Sequence, residues 1–287
     1  MKELTVISGK GGTGKTSIVA SLAALAENKV MADCDVDAAD LHLLLEPTLK
    51  YREEFRSGKL ASINRDICTE CGKCIELCRF NAISDDFVID PISCEGCGVC
   101  AYFCPEEAIE LSESLSGEWF ISDTRFGPLV HAKLGIAEEN SGKLVTLVRK
   151  NARAIAEKED RKFIIVDGPP GIGCPVIASI TGVDSVLVVT EPTLSGIHDL
   201  ERTVALAEHF KIPTMVCINK YDLNPEMSTR IERFCENKGL RLLGKIAFDL
   251  IVTKALVQRK SVVDYSLGAV TQEIKKIWRN ITYALEL

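Results

Sequence analysis

No apolar run in this 287-residue sequence approaches the ~18 residues that a membrane-spanning helix needs, so stable insertion into a bilayer is not expected. The first apolar run, Leu4 to Ile7, lacks the charged, apolar and cleavage-site pattern of an exported chain, and the expected compartment is the cytoplasm. Histidines are few and scattered, which leaves no pattern for a histidine metal site. Basic residues are nearly missing from one stretch: residues 60–116 carry Arg65, Lys73 and Arg79 against eleven Asp and Glu. The net charge of −7 is therefore concentrated there, and the rest of the chain is close to neutral. Without a concentrated basic surface, nucleic acid is not an expected partner.

Cysteine is abundant, and eight of the twelve fall in one window: Cys68, Cys71, Cys74 and Cys78, then Cys94, Cys97, Cys100 and Cys104. In a reducing compartment thiols at such spacings are metal ligands or catalysts far more often than disulfides. The window is also an internal repeat. Cys68-Thr69-Glu70-Cys71-Gly72-Lys73-Cys74, through Cys78 to Ala82-Ile83, recurs 26 residues later as Cys94-Glu95-Gly96-Cys97-Gly98-Val99-Cys100, through Cys104 to Ala108-Ile109. Two copies of one half-unit imply a small pseudo-twofold domain.

Outside the window, short β-rich runs alternate with helical patterns. Val30–Ala32, Phe163–Val166, Ser185–Val189 and Thr214–Ile218 read as strands, and Ile18–Ala26, Leu200–Phe210 and Met227–Asn237 as helices. That alternation implies an α/β fold in three layers, with a mostly parallel sheet covered on both faces. The cysteine window interrupts it, so residues 58–116 read as an inserted small α+β domain within a larger one made of 1–57 and 117–287. Glu118 to Leu134, carrying Gly127-Pro128, reads as a hairpin near the junction. Near the C-terminus Ile274, Ile277, Trp278, Ile281 and Leu285 share one helical face, expected to close the core.

The chain opens with Gly9-Lys10-Gly11-Gly12-Thr13-Gly14-Lys15-Thr16, followed by Ser17. In a G-x-x-x-x-G-K-[ST] loop the glycines let backbone N–H groups crowd the phosphates, the lysine reaches the β and γ oxygens and the hydroxyl holds Mg²⁺. Lys15 and Thr16 take the last two roles. Lys10 resembles the signature lysine of the deviant Walker A loop of MinD and ParA ATPases and the nitrogenase iron protein. That resemblance implies a nucleotide-sandwich dimer, with a second copy or a close paralogue, in which Lys10 reaches the partner's phosphates. Asp33-Cys34-Asp35 resembles the family's switch I, with Asp35 orienting the attacking water. Val166-Asp167-Gly168-Pro169-Pro170-Gly171 resembles its Walker B and switch II segment, with Asp167 supporting Mg²⁺ through water. Asn219-Lys220-Tyr221-Asp222 matches the N-K-x-D pattern with which GTPases read guanine. The family resemblance favours ATP, with Asn219 and Asp222 as base contacts.

The cysteine runs resemble the bacterial ferredoxin pattern C-x₂-C-x₂-C-x₃-C-P, whose fourth cysteine ligates the other cluster. Carried over by position, Cys68, Cys71, Cys74 and Cys104 hold one [4Fe–4S] cluster, and Cys94, Cys97, Cys100 and Cys78 the second. Tetrahedral zinc on the same thiols is the competing reading. Pro105 follows Cys104, but Arg79 stands where the first run would have its proline, either tuning the neighbouring cluster or simply exposed. Cys174 follows the Walker B segment without a second cysteine to share a bridging cluster. Cys34, Cys217 and Cys235 read as core thiols.

Together these resemblances imply a MinD-type ATPase whose dimerisation gates electron transfer from two clusters to a redox partner with a basic docking surface. A positioning ATPase with structural or redox-sensing clusters, and an iron–sulfur assembly or transfer ATPase, are the alternatives.

Overall fold

The computed structural model describes residues 1–135 and 141–286. Its elements run β1 (Lys2–Ser8), α1 (Lys15–Leu25), β2 (Lys29–Asp33), α2 (Leu41–Leu45) and β3 (Thr48–Ile63). The cysteine window contributes two short helices, α3 (Lys73–Leu77) and α4 (Val99–Tyr102), and leads into β4 (Ile109–Thr124) and β5 (Gly127–Leu134). Alternation then resumes with α5 (Ser141–Lys158), β6 (Phe163–Pro170), α6 (Cys174–Ile180), β7 (Ser185–Thr190), α7 (Leu194–His209) and β8 (Thr214–Asn219). The chain closes with α8 (Pro225–Lys238), β9 (Arg241–Ile246), α9 (Leu250–Val257), α10 (Val262–Tyr265) and α11 (Ala269–Leu285).

The nine strands form one sheet in the order β3-β4-β5-β2-β6-β1-β7-β8-β9. From β5 through β9 every pairing is parallel. The link from β4 to β5, Arg125-Phe126, is too short for anything but a hairpin, so the sheet is mostly parallel, as expected. Its central strands are apolar on both faces because helices cover both. On β1, Leu4 and Val6 join the core beneath α1 and α11, while Ile7 joins the core on the opposite face with Val176, Ile197 and Leu200. The closing helix α11 buries Ile274, Ile277, Ile281 and Leu285 as a helical stripe, and Trp278 meets the Phe163 ring at 5.8 Å. Among the described residues no helix is long and apolar enough to cross a membrane.

The chain divides into two compact units. One contains Met1–Glu53, Trp119–Lys133 and the chain from Ser141 onward; the other contains Glu54–Glu118 together with Leu134 and Gly135. In the second unit the sequence repeat is a structural one. Asn64 N–H donates to Ala108 O and Asp90 N–H to Ala82 O, both at 2.8 Å, so the start of each copy binds the end of the other. Backbone angles repeat as well: φ is 54° and 59° at Glu70 and Gly96, 76° and 77° at Gly72 and Gly98, and 52° and 50° at Asn81 and Glu107.

In the larger unit His131 of β5 lies between two rings, His42 at 5.4 Å and Phe120 at 5.0 Å, with its Nε2 3.1 Å from Ser122 Oγ. Burial, reinforced by His42, pulls its pKa down to about 4. The unfolded imidazole titrates near 6.5, so between these values the unfolded chain binds more protons and stability rises with pH. The stabilisation is complete above the unfolded value and is lost as the pH falls toward 4. Urea unfolding at pH 7 and pH 5 should therefore show the native chain losing up to ~2 kcal/mol more than His131→Gln on acidification. Equal losses would refute this assignment.

Candidate functional site

The phosphate loop spans the gap between β1 and α1, and its conformation depends on glycine. Gly14 has φ +86°, and a Cβ there would come within 2.4 Å of Asn219 Nδ2. That approach lets Asn219 Nδ2 donate to Thr13 O at 2.7 Å. Lys15, the first residue of α1, is only 6% exposed; its Nζ lies 2.5 Å from Asp167 Oδ1 and 3.3 Å from Asp35 Oδ2. Burial alone would lower the Lys15 pKa, but the charges of Asp167 and Asp35 outweigh it and raise it. The ends of β1, β2 and β6 thus bring three sequence-identified residues into one charged cluster.

Asp33 completes that cluster from below. It is fully buried, accepts hydrogen bonds from Asp35 N–H and Leu41 N–H, and has its pKa raised well above the usual range, first by burial and then by Asp167. It ties the segment after β2 to the start of α2. Two buried polar atoms beside this cluster have no hydrogen-bond partner among the described residues: Thr13 Oγ1 and Asp167 Oδ2. A buried hydroxyl and a carboxylate oxygen left open beside a glycine-rich anion cradle fit a Mg²⁺-nucleotide, because each has hydrogen-bonding capacity reserved for something outside the chain. Thr16 is half-buried on the first turn of α1, and Ser17 follows it.

Lys10 has an engagement that its motif does not reveal. Its Nζ lies 2.7 Å from Glu191 Oε1 and also reaches Ser195 Oγ at 3.1 Å and Thr193 Oγ1 at 3.3 Å. The other Glu191 oxygen takes Lys220 Nζ at 3.1 Å, and the same amine donates to Gly12 O at 3.0 Å. The N-K-x-D segment therefore braces the phosphate loop. Asn219 spends its amide on Thr13 O and its carbonyl on Lys220 N–H, while Asp222 Oδ1 accepts from Phe248 N–H at 2.6 Å. Sequence reading missed Glu191 because a lone glutamate after a strand carries no pattern.

The cysteine-rich unit contains two cavities, each lined by four cysteines. Cys68, Cys71, Cys74 and Cys104 line one; Cys78, Cys94, Cys97 and Cys100 line the other. Among the described residues no three His, Cys, Asp or Glu side chains converge as a single metal ion requires. Four soft thiol ligands around each cavity fit an iron–sulfur cluster. The unit's small core is built partly from these same residues, since Cys74, Cys78, Cys94, Cys100 and Cys104 pack with Ala61, Ile83 and Ile109. Burial pushes the Cys74 and Cys100 thiols up, so a cationic metal centre would compensate their thiolate forms. Arg79 is exposed and lines the second cavity; Pro105 lines the first.

Of the remaining cysteines, Cys34, Cys217 and Cys235 are buried, and burial pushes the last two up to about 12 and about 11. They are core thiols. Cys174 is exposed at the start of α6. For the phosphate loop, Gly14→Ala should weaken ATP binding about tenfold by calorimetry and cost ~1–2 kcal/mol of stability, because the new Cβ meets Asn219 at a left-handed backbone position.

The likeness to known proteins follows the same division. A family model of the CobQ/CobB/MinD/ParA nucleotide binding domain matches residues 4–262. An uncharacterized protein of Methanocaldococcus jannaschii is 35% identical over 282 residues, 97% of this chain and 96% of that one. Pyruvate synthase subunit PorD of Methanothermobacter marburgensis is 39% identical over 74 residues, 23% of this chain and 91% of its own length. The septum site-determining protein MinD of Pyrococcus horikoshii, solved with Mg-ADP, shares the fold with a TM-score of 0.63 at 16% identity, across 99% of this chain and 97% of that one. With the family match extending from the first strand past the last, the chain belongs to the CobQ/CobB/MinD/ParA nucleotide-binding family of P-loop ATPases.

Proposed function

We propose that this chain is an ATPase in which nucleotide-dependent dimerisation gates electron delivery from two [4Fe–4S] clusters to a partner protein. The observation that carries the reading is the pair of four-cysteine cavities in a chain that also holds an intact phosphate loop. In this reading residues 58–116 form an inserted ferredoxin-like domain, and 1–57 with 117–287 the ATPase domain. Division of the chain after Glu53 and after Glu118 supports it.

Each side chain has a definite task. Lys15 turns from Asp167 and Asp35 to the β and γ phosphate oxygens, and the backbone of Gly11 to Gly14 crowds the same oxygens. Thr16, with Asp167 acting through water, holds Mg²⁺, which supplies charge neutralisation when bound. Asp35, released from Lys15, accepts a hydrogen bond from the attacking water and orients it in line. Lys10 completes the site of a second copy, or of a close paralogue. In the cysteine-rich unit Cys68, Cys71, Cys74 and Cys104 hold one cluster, and Cys94, Cys97, Cys100 and Cys78 the other; bound clusters supply one-electron chemistry. The acidity of residues 60–116 suits a redox partner with a basic docking face.

A coupling of about 1–3 kcal/mol between distant sites is typical, and at about 59 mV per tenfold it moves a one-electron potential by roughly 40–130 mV. Redox titration followed by electron paramagnetic resonance should show such a shift between the ATP-bound and nucleotide-free protein. Identical potentials and identical partner affinity in the two states would sink the gating idea and leave a positioning ATPase. Ligand exchange between the runs has its own test. Cys104→Ser should remove the cluster held by Cys68, Cys71 and Cys74, and Cys78→Ser the other, each halving iron content.

A further inference from the structure

Glu191 lies between β7 and α7 on a turn with little freedom. Thr193 N–H donates to Glu191 O at 2.8 Å, Gly196 N–H donates to Thr193 Oγ1 at 2.9 Å, and a Cβ at Gly196 would meet Glu191 O at 2.2 Å. The carboxylate is thereby aimed at the phosphate loop, with its side chain 16% exposed. Its two oxygens are shared between two amines that flank the loop, Lys10 at 2.7 Å and Lys220 at 3.1 Å. Burial would raise the Glu191 carboxyl, but hydrogen bonds from these lysines outweigh it and hold it below the usual range. One anion thus satisfies two cations beside a cradle built to receive anions.

We propose that Glu191 is an internal counter-anion that holds Lys10 against its own chain, and that the nucleotide phosphates of a facing copy displace it. The consequence is a threshold: Lys10 must be released from its own glutamate before it serves the partner, so Glu191 opposes dimerisation until nucleotide is present. The second part of this inference rests on the dimerising ATPase proposed above; the first part concerns the single chain.

Two measurements separate them. In the nucleotide-free chain, Lys10 should react with an amine-acylating reagent about fivefold faster in Glu191→Gln than in the native protein, read by mass spectrometry, the increase expected from losing one partly exposed ion pair. Ser195→Ala, which leaves the ion pair in place, should change the rate less than twofold. Equal Lys10 rates in native protein and Glu191→Gln, both shown folded by circular dichroism, overturn the proposal whatever the oligomeric state. By sedimentation with Mg²⁺ and a non-hydrolysable ATP analogue, Glu191→Gln should dimerise at about fivefold lower protein concentration. A dimer midpoint identical to the native one overturns the threshold. If labelling rises as expected while the native chain fails to dimerise at any analogue concentration, the counter-anion stands and the dimerising-ATPase reading falls.

Discussion

The buried ammonium of Lys15 is the constraint on which the nucleotide pocket depends. It is held among Asp167 on β6 and Asp33 and Asp35 at the end of β2. Asp167 and Asp35 could not both stay charged in so dry a place without a cation, since an unpaired buried charge costs several kcal/mol, and burial favours the neutral form of Asp33 beside them. The amine thus fixes where β1, β2 and β6 end relative to one another. In parallel α/β sheets the carboxyl ends of the strands form the binding crevice, and here that crevice is organised by charge before any ligand enters.

The cysteine-rich unit rests on a different principle. Its core is small, and several of its packed members are the thiols that line the two cavities. A unit of this size draws only a small margin from its apolar core, and metal–thiolate bonds are a common supplement. Exchange of ends between the two copies, seen in the Asn64 to Ala108 and Asp90 to Ala82 hydrogen bonds, brings Cys104 to the cavity of the first run and Cys78 to that of the second. One arrangement therefore shapes both the small core and the two four-cysteine cavities.

Much of this was legible because the informative residues are close together in sequence. The phosphate loop and both cysteine runs are local patterns, and each maps onto one strand–loop–helix step or one half of a repeat. β3 and β4 were not legible at their true lengths. Both run for 16 residues with charged and largely exposed segments, as in Tyr51-Arg52-Glu53-Glu54, so neither alternation nor apolar content marked them. For that reason the expected insert began at residue 58 and the compact unit begins at Glu54, both within the one continuous strand β3. Glu191 lay hidden for a topological reason. It is distant in sequence from both lysines it binds, and the sheet order β1-β7-β8 alone makes them neighbours.

Charge accounting across the pocket has a simple result: the cations at and beside the phosphate loop already have anions. Lys15 is paired with Asp167 and Asp35, and Lys10 and Lys220 with Glu191. Binding a polyphosphate is then an exchange of counter-anions rather than the filling of a bare positive site, and its affinity is a difference between two compensated states. That exchange leaves Asp167 and Asp35 without their cation. In the proposed function a divalent metal arriving with the nucleotide would restore the balance, so the proposed role of Mg²⁺ is the one these carboxylates call for.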